Sequence, residues 1–90
     1  MPYTVRAFQP TPNPNALKCT IDRAITRSPR SYFTAAEAAA ASDALAQALF
    51  AIPHITNLLI NADWITVSKS PEADWKPIRA AVEKALREAD

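Results

Sequence analysis

Few side chains in this sequence are of the types that catalyse reactions or bind metals, and they do not have the spacing of a known catalytic or metal-binding motif. The chain has one cysteine, Cys19, and one histidine, His54, far apart in sequence. Neither has a second cysteine or histidine at the short spacing of metal-binding motifs. The same scarcity removes a Cys–His pair or a Ser–His–Asp triad, unless His54 serves alone. We therefore predict no metal site, and we expect His54 to be a surface or loop-capping histidine.

The carboxylates and the glycine count also bear on catalysis. Asp22, Asp63 and Asp74 fall in a predicted strand, a turn and a helix start, so the sequence pairs no two of them for acid–base chemistry. The 90 residues contain no glycine, whereas average usage would give about six. Gly-rich phosphate loops and dinucleotide-binding fingerprints need backbone without a Cβ, so both are excluded. We predict a protein that is not an enzyme and binds no cofactor.

The net charge gives no strong attraction to a charged partner. Ten Lys and Arg residues oppose nine Asp and Glu residues, for a net charge of +1. The most basic segment, residues 18–30, contains a single carboxylate and the cations Lys18, Arg23, Arg27 and Arg30. With Tyr32 and Phe33 these cations could form an RNA-binding patch. A solvated loop is the favoured interpretation, and nucleic acid is not an expected partner.

The expected compartment is the cytoplasm. No segment approaches the ~20 consecutive apolar residues that span a bilayer. The first six residues lack the basic and then apolar layout of a signal peptide. A single cysteine forms no internal disulfide and fits a reducing environment. We expect one soluble domain over residues 1–90, with no membrane partner.

Periodicity predicts four strands, at residues 3–8, 16–25, 55–60 and 64–69. The second has the clearest alternation, with Leu17, Cys19 and Ile21 on one face. Residues 11–15 (TPNPN), here called the Pro-Asn loop, are typical of a rigid turn held by Asx bonds. This loop would let the first two strands pair antiparallel. Residues 26–33 are polar and contain proline, and are predicted to be loop.

Helices fill the other segments. Thr34 and Glu37 form a capping box before an alanine run, and Asp43 offers a second cap where the helix could break and restart. A last helix begins near Asp74. Turns that need positive φ must use Asn or Asp, and we assign Asn61 to such a position. The order ββαββα predicts an α+β two-layer sandwich, with an antiparallel sheet of about four strands and helices on one face.

Three segments match the pattern of a known family. They are TPNPNALK at residues 11–18, SDALAQALFAI at residues 42–52, and DWITVSK at residues 63–69 with Asp74 and Trp75 behind it. In these segments the chain resembles the N-terminal domain of the Nfu/NifU-type iron–sulfur scaffold proteins. The likeness runs from about residue 3 to residue 87, and TPNPN-x-LK is fairly specific.

The chain departs from that family pattern at four places. The family usually has an aromatic residue where Cys19 stands and a proline where Asp43 stands. It often has glycine near His54 and near Asn61. These differences leave the expected fold unchanged, and they account for a member without glycine.

The resemblance implies a role in, or beside, iron–sulfur cluster assembly. In larger family members a C-terminal domain with a Cys-x-x-Cys pair holds the cluster, and these 90 residues contain no such pair. The chain is therefore similar to the accessory domain alone. The partner that this implies is an iron–sulfur scaffold or a client protein.

Four residues are candidates for partner binding. Thr11, Asn13 and Asn15 belong to the Pro-Asn loop, which either only joins two strands, the favoured interpretation, or forms a preorganised recognition edge. By alternation Trp64 points away from the apolar face of its strand, so it is either an interface anchor or the cover of a sheet edge. Trp75, at the start of the last helix, is expected in the core.

Cys19 is a weak metal candidate. Its favoured role is that of a buried core residue. In the alternative, two copies dimerise through Cys19 to carry iron or a cluster, but a cluster ordinarily takes about four thiolates and such a dimer supplies two. We predict a non-catalytic protein-interaction module of iron–sulfur cluster assembly. The alternatives are a module that binds RNA or another partner, and this carrier.

Overall fold

Five strands form one antiparallel sheet in the computed structural model of the chain, which describes residues 3–25 and 28–88. The strands are β1 (Val5–Pro10), β2 (Ala16–Ile21), β3 (Arg30–Tyr32), β4 (Ile55–Asn61) and β5 (Trp64–Lys69). Their order across the sheet is β1-β2-β5-β4-β3. The four predicted strands are confirmed, although the first lies two residues further along than predicted and the second ends at Ile21 where residue 25 was predicted. The antiparallel pairing of the first two is also confirmed. The central strand is β5, which pairs with β2 on one side and β4 on the other.

The short strand β3 lies in a segment that we predicted to be loop. Ser31 pairs with Leu59 of β4, and Tyr32 pairs with Leu58. Three residues are too few to show an alternating pattern, so the sequence gives no strand signal. The strand forms because β4 offers it an unpaired edge. The sheet therefore has five strands where about four were predicted.

Three helices pack against the sheet, namely α1 (Ala35–Ala40), α2 (Ala44–Phe50) and α3 (Trp75–Arg87). The Thr34 hydroxyl accepts a hydrogen bond of 3.1 Å from the Glu37 N–H, so the predicted cap of α1 is confirmed. The Asp43 carboxylate accepts one of 3.1 Å from the Ala46 N–H, which confirms the predicted break and restart. Asp74 is the N-cap residue of α3, but its side chain makes no capping bond.

One hydrophobic core lies between the helices and the inner face of the sheet. Its fully buried members are Cys19, Ile21, Ala38, Ala46, Leu49, Leu58, Ile60, Ile65, Val67, Ile78, Val82 and Leu86. All three helices contribute to this core, so they lie on one face of the sheet as predicted. The opposite face, called here the open face, carries the half-buried side chains of Lys18, Thr20, Leu59, Trp64 and Thr66.

The turns manage without glycine by placing other residues in left-handed backbone. These residues are Ser42, His54 and Ala62, with φ of 55°, 73° and 36°. Our assignment of Asn61 to such a position is wrong, because Asn61 still pairs with Trp64 in the β4–β5 ladder. The two residues left for the turn are Ala62 and Asp63. The choice of Asn or Asp for every such turn was therefore too narrow.

Replacing Ala62 with glycine is expected to stabilise the fold by about 1 kcal/mol. A left-handed residue with a Cβ costs roughly 1–2 kcal/mol, and glycine removes this cost while losing more entropy on folding. The matched control Ala39→Gly, in α1, is expected to destabilise by about 0.5–1 kcal/mol. Urea denaturation measures both changes. Similar destabilisation by the two variants would contradict a strained turn at residue 62.

Candidate functional site

The side chain of Trp64 lies on the open face, at the start of the central strand. The Lys18 Nζ atom is 5.0 Å from the centroid of the indole ring, which is a cation–π distance. Thr20 opposes Trp64 across β2, and Asn61 opposes it across β4. Lys18 and Trp64 therefore present a positive charge and an aromatic ring among polar side chains.

Thr11 and Asn13 form hydrogen bonds within the Pro-Asn loop and to the start of β2. The Thr11 hydroxyl oxygen lies 2.9 Å from the Asn13 carbonyl oxygen and 3.0 Å from that of Ala16. It also accepts a hydrogen bond of 3.2 Å from the Asn13 N–H. The Asn13 side-chain oxygen accepts one of 2.9 Å from the Asn15 N–H, so the predicted Asx bond is confirmed.

Lys69 and Trp75 tie the Pro-Asn loop to the rest of the fold. The Lys69 ammonium donates to the Asn15 side-chain oxygen at 3.2 Å and to the Ser70 carbonyl at 3.4 Å. It also lies 5.4 Å from the centroid of the Trp75 ring. The Trp75 Nε1–H donates to the Pro14 carbonyl at 3.1 Å. Trp75 is thus half-buried and packs against the core, whereas we predicted that it would lie inside the core.

Sequence reasoning missed the role of Lys69. Only 7% of this residue is exposed, and among the described residues no carboxylate lies within ion-pair distance of it. Its place in the alternation of β5, in step with Ile65 and Val67, was a signal that it faces inward. Neutral oxygens and an aromatic face surround its charge, and they take the place of the carboxylate that usually pairs with a buried cation.

The structure divides the four predicted partner-binding residues into two groups. Trp64 begins β5 and Lys69 ends it, so about 17 Å of strand separates them. Thr11, Asn13 and Asn15 belong to the Lys69 end, and Trp64 belongs with Lys18 on the open face. Partner binding by these residues remains a prediction.

Cys19 lies fully buried in the core, as the alternation of β2 predicted. Burial, together with a smaller contribution from the charge of Glu83, raises the pKa of its thiol from 9.0 to about 12. The thiolate is the form that binds metal, so the folded chain keeps this group in its inactive form near neutral pH. Within the described residues there is no group of three or more His, Cys, Asp or Glu side chains that could hold a metal ion.

The family model described as "Scaffold protein Nfu/NifU N terminal" matches residues 5–89 of the chain. The chain belongs to this family. The matched range contains both the open face and the Pro-Asn loop. A comparison with curated protein sequences found no match.

Solved structures share the fold of this Nfu/NifU N-terminal domain. The crystal structure of protein SAV1430 from Staphylococcus aureus has a TM-score of 0.76 and 19% identity, over 91% of this chain and 96% of that chain. Its solution NMR structure has a TM-score of 0.71 and 18% identity, over 97% and 93%. The NMR structure of SeR13 from Staphylococcus epidermidis has a TM-score of 0.61 and 22% identity, over 96% and 98%. At these identities the likeness concerns the fold alone.

Among the described residues, those of the alternative RNA patch do not all lie on one face of this Nfu/NifU N-terminal domain. The Arg30 Nη1 atom lies 2.8 Å from the Asp43 carboxylate, and the Tyr32 hydroxyl donates to the same carboxylate at 2.9 Å. Both groups are therefore occupied on the helix side of the sheet, whereas Lys18 lies on the open face. Phe33 is 68% exposed. Arg27 lies outside the described residues.

His54 lies at the corner between α2 and β4, and it is exposed as expected. Its carbonyl accepts a hydrogen bond of 2.9 Å from the Ser70 N–H, which fixes the corner against the end of β5. Among the residues that the structure describes, no helix is both long enough and apolar enough to span a membrane.

Cys19 is expected to make the fold less stable at alkaline pH. The thiol pKa is about 9.0 in the unfolded chain and about 12 in the folded protein, so the unfolded state binds fewer protons between these values. The free energy of unfolding is unaffected below pH 9 and falls by up to about 1.4 kcal/mol per pH unit as the pH rises towards 12. Comparing alkaline denaturation of the wild type and Cys19→Ala separates this effect from lysine and tyrosine titration. Parallel profiles would mean that the folded thiol ionises normally.

Proposed function

We propose that this Nfu/NifU N-terminal domain is a non-catalytic docking module of iron–sulfur cluster assembly. In this proposal it binds a scaffold or client protein through the open face of its sheet. The observation that carries the proposal is the Lys18–Trp64 pair on that face, at the end of the central strand next to the β4–β5 turn. The family to which the chain belongs, that of scaffold proteins, supplies the pathway.

The composition of the open face suits a protein interface. Tryptophan is enriched among the residues that dominate binding energy, because its ring offers a large contact area and loses little conformational entropy. Lys18 holds the ring through the cation–π contact and adds a charge that a partner's carboxylate can meet. Thr20, Asn61 and Thr66 provide hydrogen-bonding groups around the ring, as in a polar rim.

The two alternatives draw less support from the geometry. A carrier that dimerises through Cys19 would have to expose and ionise a thiol that lies fully buried and whose pKa is raised to about 12. An RNA patch would need Arg30 and Tyr32, which both bind Asp43. Docking through the open face requires neither the exposure of Cys19 nor the release of Arg30 and Tyr32 from Asp43.

Replacing Trp64 with alanine is expected to reduce partner binding at least about tenfold, the effect of losing a hot-spot side chain. The measurement is affinity capture from native cells with tagged wild type and Trp64→Ala, followed by quantitative mass spectrometry. Arg79→Gln is the matched control, because it removes an exposed charge from α3 and leaves the sheet intact. Capture of no iron–sulfur assembly or client protein by the wild type would contradict the proposed function. Undiminished capture by Trp64→Ala would exclude the open face as its site.

A further inference from the structure

An apolar groove lies between the end of α2 and the length of α3, on the helix side of the molecule. It consists of two adjoining cavities of about 330 Å³ and 390 Å³. The two share Ile52, Pro53 and Ala81 as lining residues, which makes them one continuous depression. Each part is within the size range of ordinary ligand sites.

Short side chains line this groove above the branched side chains of Ile52 and Ile78. Ala48 of α2 and Ala51, which follows α2, line one side, and Ala81 and Ala85 line it from α3. Side chains this small leave the helix backbones close to the surface, so another chain can approach them closely. Apolar groups that enter the groove are removed from water, and this burial is the main favourable contribution to binding.

The two ends of the groove differ in charge. At the end formed by the start of α3, both Glu72 and Asp74 line the cavity. Neither carboxylate makes an ion pair or a hydrogen bond with the described residues. Asp74 is the N-cap residue of α3, but its side chain makes no capping bond. At the other end Lys84 and Glu88 lie together, so their charges offset each other. The groove therefore has one acidic end.

We infer that this groove binds a short apolar segment of a partner polypeptide that ends in lysine or arginine. The apolar side chains lie against Ile52, Ile78 and Ala81, and the cation faces the carboxylates of Glu72 and Asp74. Charge complementarity selects this occupant, because a segment ending in a carboxylate would meet two like charges at the same end. The inference does not depend on docking at the open face, which lies on the other side of the sheet.

Three capped tripeptide amides test this assignment, namely acetyl-leucyl-leucyl-arginine amide and the same peptide ending in glutamine or glutamate. Each is titrated into the ¹⁵N-labelled protein and followed by its amide chemical shifts. The arginine peptide is expected to shift the non-proline amides of residues 52–55 and 72–85, with a Kd at least about fivefold below that of the glutamate peptide. The preference is expected to shrink with added salt. Equal affinities, or shifts confined to the open face, would overturn the inference.

Variants of the groove make the test specific. The double variant Glu72→Gln, Asp74→Asn is expected to remove most of the arginine preference, and Asp63→Asn, at the exposed β4–β5 turn, is the control that keeps it. Ala48→Leu is expected to fill the second cavity from an exposed position and to weaken all three peptides. An unchanged arginine preference in the double variant would overturn the role of the carboxylates. Because Trp64 and Lys18 are untouched, capture through the open face is unaffected by either result.

Discussion

Replacing Asp43 with alanine is expected to lower the free energy of unfolding by about 2–4 kcal/mol, from the loss of a helix cap and of the partner of a buried hydroxyl. The Asp43 side chain is 5% exposed and lies 2.8 Å from the Arg30 Nη1 atom, whereas the Arg30 side chain is 38% exposed. The same carboxylate accepts a hydrogen bond from the Tyr32 hydroxyl and caps α2 at the Ala46 N–H. The change therefore uncaps a helix and leaves the Tyr32 hydroxyl without its acceptor, while water can reach the guanidinium of Arg30 and limits the cost of the lost ion pair. For a domain with a total stability of about 5–15 kcal/mol, this is a large fraction.

Among the described residues, Asp43 is the carboxylate within ion-pair distance of Arg30. The Nε atom of Arg30 is buried and lacks a hydrogen-bond partner, although the side chain as a whole is 38% exposed. Asp43→Asn keeps one of the two acceptor oxygens, so it can retain either the cap or the bond from Tyr32, and a smaller loss is expected than for Asp43→Ala. Asp63→Asn, at an exposed position, is expected to stay within about 0.5 kcal/mol of the wild type. Chemical denaturation compares the three, and a loss below 1 kcal/mol for Asp43→Ala would refute the network.

Replacing Trp75 with alanine is expected to lower the free energy of unfolding by about 3 kcal/mol, at the low end for loss of a tryptophan because the ring is half-buried. The change removes the ring face beside Lys69 and the hydrogen bond to Pro14. Trp75→Phe keeps a ring near the Lys69 ammonium but removes the indole donor. The expected loss for Trp75→Phe is about 1 kcal/mol, the usual contribution of one hydrogen bond.

Amide hydrogen exchange reports on where the effect of Trp75 is located. The Ala16 N–H donates to the Asn13 carbonyl at 3.0 Å within the Pro-Asn loop. If Trp75 holds this loop, exchange at Ala16 is expected to accelerate in both variants, and more in Trp75→Ala. Unchanged exchange there, with a loss of global stability, would show that Trp75 acts through the core alone.

Those parts of the fold that depend on neighbouring residues were predictable from the sequence. The Thr34 and Asp43 side chains each accept a hydrogen bond from the N–H three residues further along the chain, so the residue types and their spacing predict these caps. Alternation in β2 placed Cys19 in the core, and the same rule placed Trp64 on the open face. Such rules act over a few residues and need no knowledge of the partner strand.

The sequence could not predict contacts between residues that are distant along the chain. Asn15 meets Lys69, and Pro14 meets Trp75, only because β2 and β5 are neighbours in the sheet. That pairing places Thr11, Asn13 and Asn15 at the Lys69 end of β5, away from Trp64 on the open face.

Thus the sequence by itself determined the element types, the caps, the buried cysteine and the family to which the resemblance pointed. Only the tertiary structure decided that residues 30–32 form a strand, that Ala62 takes the left-handed position, and that Asp43 pairs with Arg30. The physical reason is the range of the interactions. Propensity, alternation and capping act within one element, whereas an edge strand, a strained turn and a partly buried ion pair are stabilised by groups that the fold brings from elsewhere.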